Sequence, residues 1–224
     1  MPATGQSAVV TTCLGLAPAP ADPVPSERLR WRPRITHARP RPDLDAAESA
    51  ATALLAALGL DLDDVNLVDT PRRMARALAE LTTADEFELT SFPNTEGYDE
   101  LVLVQDIPVR SLCEHHMLPF VGVAHIGYLP ADRILGLSKF ARMTDFHSRQ
   151  PQTQERLTKR IADHLQRELD PHGVGVVIEA EHTCMSLRGA RASGTRTVTS
   201  TLFGRLREDS RSRAEFLSLT RSHT

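Results

Sequence analysis

Residues 101–129 read LVLVQDIPVRSLCEHHMLPFVGVAHIGYL, and the fold turns on how this stretch divides. Its two ends, Leu101 to Ile107 and Val121 to Leu129, are rich in β-branched or aromatic residues and bounded by Pro and Gly, so each is predicted as a strand. Between them lies Cys113-Glu114-His115-His116, a loop answered far downstream by His182-Thr183-Cys184. Cys113, His116 and Cys184 offer Zn²⁺ two thiolates and an imidazole. Three protein ligands suit a catalytic zinc, which keeps its fourth tetrahedral position for water, whereas structural sites usually close all four. Cys113 and His116 can converge from one loop, but Cys184 must be brought in by folding. His115 and His182 adjoin these residues and are left over as proton carriers beside an activated water. The same residues allow a second reading, a four-ligand structural zinc with His115 or His182 as the last ligand.

Working outward, Ser138 to His147 and Thr153 to Leu169 are predicted as helices. The second carries Leu157, Ile161, Leu165 and Leu169 at four-residue intervals, and Pro151 separates the two. Val174 to Ala180 and Thr195 to Phe203 read as two more strands, with Gly189 and Gly194 in their connection. The order is strand, strand, helix, helix, strand, strand, an α+β class, and a last helix is predicted from Ser210 to Leu219. Upstream, Asp45 with Glu48 three residues on predicts the N-cap of a helix that ends at Gly59. Thr70-Pro71 predicts the cap and first position of another, with Met74, Ala77, Leu78 and Leu81 on one face. Residues 1–42 hold eight of the 15 prolines among Ala, Arg and Thr, the composition of a disordered arm. Its arginines, Arg28 to Arg41, read as a solvated basic tail, with contact to phosphate or a neighbouring subunit as the other reading. The expected division is an arm over 1–42, an N-terminal helical appendage over 43–96 and a catalytic domain over 97–224.

At 224 residues and 41% hydrophobic, the chain can bury one substantial core, or one core plus a small helical appendage. Three cysteines, an odd number, argue for metal binding in a reducing compartment rather than a disulfide framework; Cys13 is read as a bystander. A net charge of -3, from 26 basic and 29 acidic residues, creates no global field for nucleic acid. No apolar run approaches a membrane span and no basic region precedes a long apolar stretch at the N-terminus, so a cytoplasmic protein is expected.

Four spaced motifs, Ser111-Leu112-Cys113-Glu114-His115-His116, Gly136-Leu137-Ser138-Lys139, Gln152-Thr153-Gln154-Glu155-Arg156-Leu157 and Glu181-His182-Thr183-Cys184-Met185-Ser186-Leu187-Arg188-Gly189, resemble GTP cyclohydrolase I. The match runs from about Asp45 to the C-terminus. The resemblance implies a tunnelling fold, in which subunits join antiparallel sheets into a barrel and two pentameric rings stack as a homodecamer. It also implies the reaction: GTP and water give 7,8-dihydroneopterin triphosphate and formate, the first step of folate and pterin biosynthesis. By resemblance, Cys113, His116 and Cys184 bind zinc and His115 and His182 handle protons. Ser138 then lies near the ribose, Lys139, Arg142 and Arg188 near the triphosphate, Gln154 and Glu155 at the guanine edge, and Arg73 reaches substrate across an interface.

These residue types suit those tasks physically. Guanidinium groups grip phosphate oxygens bidentately and Lys supplies a point charge. Each has a plainer reading: ordinary surface charge for Lys139, Arg142 and Arg188, solvent-facing helix positions for Gln154 and Glu155, a helix N-cap for Ser138. Of the two histidines, His182 is assigned the purine-side proton and His115 the ribose steps, and the assignments can be exchanged. The chain departs from the family pattern at Val123, Gln150 and Thr153, none of them a proposed ligand or proton carrier. Two rival readings are a nitrile reductase of the same fold and a non-catalytic nucleotide- or pterin-binding module. The surplus histidines argue against the second, since binding alone does not need them.

Overall fold

The computed structural model describes residues 41–85 and 89–221. The arm expected over 1–42, with Cys13, falls outside them apart from residues 41 and 42.

Helix α1, Leu44–Ala57, is capped by Asp43, whose extended backbone lets its carboxylate accept from the Ala46 amide at 3.0 Å. The expected cap, Asp45, sits instead in the first turn, where a carboxylate favours the helix dipole without capping. The helix stops as foreseen at Gly59, whose φ of 83° reverses the chain while the Gly59 and Leu60 amides donate back to Ala56 and Leu55. Helix α2, Thr70–Thr82, has Asp69 rather than Thr70 at its N-cap position, and it buries Pro71 and Ala75. Ala77, expected on the buried face, is exposed. The inward stripe is therefore rotated from the one predicted.

The remainder is built on a five-stranded sheet. After the short β1, Ser91–Pro93, come β2, Val102–Cys113, and β3, Pro119–Leu129, which pair antiparallel. Then β4, Arg133–Leu135, closes a two-stranded ribbon on β1. Helix α3, Ser138–Ser148, leads to β5, Pro151–Gln152, which lies parallel to the end of β2. Helix α4, Gln154–Leu169, follows, and β6, Gly173–His182, returns beside β3. The turn α5, Thr183–Ser186, precedes β7, Arg196–Gly204, the α6 turn, Arg205–Glu208, and α7, Ser210–Leu219, as predicted. The sheet order is β5-β2-β3-β6-β7. Its long elements keep the strand-strand-helix-helix-strand-strand order of a tunnelling fold, with the helical pair α1 and α2 before them.

Alternation along the strands sends one face to α3 and α4. Phe120, Ala124, Ile126 and Tyr128 of β3, with Val174, Val176, Ile178 and Ala180 of β6, meet Leu157, Ile161, Leu165 and Leu169 of α4 in one core. Burying those four helical residues stabilises by roughly 1.5–3 kcal/mol each. On the opposite face α7 covers one end only, where Phe216 is fully buried. Paired Gly127 and Gly175 make its seat, because a Cβ on Gly175 would stand 2.6 Å from the ring. The rest of that face keeps Val121 and Val198 exposed. No helix among the described residues is long and apolar enough to cross a membrane.

Candidate active site

Strand β2 carries Cys113 to the rim of the sheet, where the chain reverses at once. The Cys113 amide donates to the Leu118 carbonyl and the Met117 amide to the Cys113 carbonyl, both at 2.8 Å, with Met117 in the left-handed region at φ 54°. This tight reversal leaves His116 Nδ1 3.8 Å and His115 Nδ1 4.0 Å from Cys113 Sγ. Both strands thus run closer to the motif than predicted, ending at Cys113 and starting at Pro119.

Cys184 arrives through register. Pairing of β3 with β6 sets His182 opposite Phe120, and the single turn α5 swings Cys184 back toward the β2–β3 reversal. Thr183 Oγ1 donates to the Pro119 carbonyl at 2.6 Å and holds that turn in place. Ligand atoms of Cys113, His116 and Cys184 lie within 4.8 Å of one another. Neither His115 nor His182 joins that group. Burial and the neighbouring Cys113 thiol both raise the pKa of Cys184, opposed by the field of Arg188.

A second set of contacts binds this rim to α4. The Glu114 carboxylate pairs with both terminal nitrogens of Arg156, and the Glu114 amide donates to the Gln152 carbonyl at 3.3 Å. Thr153 caps α4 by accepting from the Arg156 amide at 3.3 Å. Glu155 follows in the first turn, exposed and near His182: burial lowers the pKa of that histidine and the Glu155 charge raises it. The His182 ring stacks on Phe120, centroids 4.7 Å apart and planes 15° from parallel. Neither the Glu114–Arg156 pair nor the Phe120 stack follows from local sequence; the lone signal is that both charges sit inside the quoted motifs.

The remaining expected site residues are more scattered. Ser138 and Arg142 are exposed one turn apart on α3, with Lys139 half-buried between them. Ser138 caps nothing: Leu137 occupies the N-cap position and no side chain fills the role. Arg188 is exposed just after α5 and reaches the cluster through its field on Cys184. Arg73 is exposed on α2 and pairs with Asp69 at 3.1 Å. Gln154 is enclosed rather than exposed. It is 1% exposed, and both ends of its amide are engaged, Nε2 on Ile178, Thr197 and Thr199 and Oε1 on His182.

Fold and site together describe an α+β enzyme in which a two-thiol, one-imidazole cluster at the sheet rim is flanked by two further histidines. The chain belongs to the GTP cyclohydrolase I family, whose model matches residues 47–221. GTP cyclohydrolase 1 of Mycolicibacterium gilvum is 51% identical over 187 residues, covering 80% of this chain and 92% of that protein. The same enzyme of Mycolicibacterium vanbaalenii is 52% identical over 184 residues, 79% and 90% of the two chains. That of Brevibacillus brevis is 45% identical over 183 residues, 80% and 98%. Among solved structures, the archaeosine synthase QueF-Like in its apo form aligns with a TM-score of 0.39 at 16% identity, covering 46% of this chain and 93% of that one. The assignment rests on the family match and the first three relatives.

Proposed function

We propose that this GTP cyclohydrolase opens the imidazole ring of GTP at guanine C8 with a zinc ion held by Cys113, His116 and Cys184, releasing formate and yielding 7,8-dihydroneopterin triphosphate. The observation that carries the proposal is the convergence of those three side chains within 4.8 Å. The donors fit zinc: with Zn–S near 2.3 Å and Zn–N near 2.05 Å, a tetrahedral angle separates S from N by about 3.6 Å, and Cys113 Sγ lies 3.8 Å from His116 Nδ1. Bound there, zinc supplies Lewis acidity that makes water a nucleophile near neutral pH.

The chain's own groups do the rest. His182, beside Glu155 and against Phe120, exchanges a proton with the purine, and the more exposed His115 serves the ribose steps. Glu155 accepts from guanine N1–H and the 2-amino group. Lys139, Arg142 and Arg188 hold the triphosphate, Ser138 the ribose, and Arg73 reaches substrate from a neighbouring subunit. That last role belongs to a homodecamer of two pentameric rings, in which residues 43–96 form the appendage and 97–224 the catalytic domain. Among the described residues β7 pairs only with β6, and that edge position supports ring closure, since an unpaired edge is a template for another strand. The enzyme would act in the cytoplasm at the head of folate or pterin synthesis.

The test is incubation with GTP. One formate and one oxidisable, fluorescent pterin per GTP are expected, lost on chelation and restored by zinc. Turnover that survives complete removal of zinc would reject the zinc assignment, and a product other than a pterin would reject the reaction.

A further inference from the structure

We propose that Gln154 is a positioning residue: it fixes the orientation and tautomer of His182, keeping the ring proton on Nε2 and leaving Nδ1 to exchange a proton with the substrate. This deepens the proposed function and rests on His182 being a proton carrier there.

The direction of every hydrogen bond around Gln154 follows from one end of a chain. The Gln154 main-chain carbonyl can only accept, so Thr158 Oγ1 donates to it, at 2.8 Å. Having used its one proton, Thr158 must accept from the Thr199 hydroxyl, at 2.6 Å. Thr199 Oγ1, its proton given to Thr158, then offers only lone pairs to the Gln154 amide 3.1 Å away, and the two NH₂ protons are shared among three acceptors. The main-chain oxygens of Ile178 at 3.0 Å and Thr197 at 2.9 Å face the same end of the side chain, and they too can only accept. The NH₂ therefore points into β6 and β7, and Oε1 points at His182. An amide oxygen cannot donate, so across the 2.8 Å contact the proton sits on His182 Nε2. The neutral ring then carries its lone pair on Nδ1.

Phe120, stacked on the imidazole at 4.7 Å, resists tilting of the ring. Gln154 is itself 1% exposed and tied to two strands, so the partner that aims His182 is rigid. Because an amide oxygen is not a base at neutral pH, it orients the imidazole without taking its proton. Proton traffic is confined to Nδ1.

Replacement by methionine keeps length and removes both hydrogen-bonding ends. Gln154→Met is expected to lower kcat for formate release by roughly 10²-fold while KM for GTP stays within about threefold and zinc content is unchanged. In the His182→Ala background the same change should cost nothing further, because its effect passes through the imidazole. A raised KM with a loss that adds to that of His182→Ala would put Gln154 on the base instead and overturn the proposal. So would wild-type kcat in Gln154→Met beside an impaired His182→Ala. Wild-type turnover by His182→Ala is a different failure: it removes the proton-carrier reading, and the tautomer assignment falls with it. Should Gln154→Met not fold, Thr199→Val deletes only the hydroxyl that receives the amide. It is expected to lower kcat about three- to fivefold at constant KM and to add nothing in the His182→Ala background; unchanged kcat there overturns the proposal.

Discussion

Two groups of histidines, one at 115 and 116 and one at 147 and 164, are treated in opposite ways by the fold. At the sheet rim, His115 has a side chain 66% exposed and His116 faces a thiol. Between α3 and α4, His147 Nε2 meets His164 Nδ1 at 2.8 Å with the rings edge to face. Burial lowers His147 to about 3, and His164, Arg160 and Arg167 push it the same way. Burial also lowers His164 to about 4, with Arg167 adding and Glu168 opposing. The inner pair is a neutral packing element joined through one nitrogen of each ring; the rim histidines stand beside two thiols, with His115 largely exposed. Residue type alone does not separate these fates. What separates them is where the rings stand: the inner pair lies between α3 and α4, and the rim rings lie at the end of the sheet beside two thiols.

The sharpest way to break the comparison is to cut each region once. Cys184→Ser should lose zinc and at least roughly 10³-fold in turnover, whereas His147→Phe with His164→Leu should stay near wild type at neutral pH. Metal analysis and formate release on both proteins decide it, and equal losses would erase the distinction. Next in size is Glu155→Ala. Its preference for GTP over ATP should collapse by on the order of 10⁴-fold in kcat/KM, with inosine triphosphate between the two for the wild type. A preference that survives places guanine recognition elsewhere.

His182→Ala should lower kcat by roughly 10²–10³-fold with zinc retained. Stoichiometric loss of zinc would instead make His182 a fourth ligand. The smallest effect belongs to the inner pair. Unfolded imidazoles titrate near 6.5, so below that pH the unfolded chain binds protons that folded His147 and His164 refuse. Stability should therefore fall as pH falls from about 6.5 toward the folded values of about 4 and about 3. Thermal melts from pH 8 to pH 4 should show a shallower decline for the His147→Phe, His164→Leu protein, and parallel curves would remove the pair from the acid response.

Much of the fold was legible because short-range rules decide it. Leu157, Ile161, Leu165 and Leu169 repeat at the spacing of one helix face and are buried together, and the final helix begins and ends where its pattern does. Gly59 stops α1 because a left-handed residue is needed there. Caps were less legible. Asp43 and Asp45 offer the same carboxylate, and the choice between them depends on which backbone is extended. Ala77 lost its expected place inside because what α2 buries depends on what it packs against.

By itself the sequence determined the element order and the family, since each is written in local periodicity or in motifs a few residues long. Only the tertiary structure decided how those pieces face one another. Glu114 meets Arg156 across 42 residues and Gln154 meets His182 across 28, through the register of β3 on β6 and the parallel seating of β5 on β2. Register is a collective property of paired strands, and shifting it by one residue sends every side chain to the other face. The role of Gln154 was set there: a residue type common on solvent-facing helices became buried because β6 and β7 present carbonyls to one end of its amide and His182 to the other.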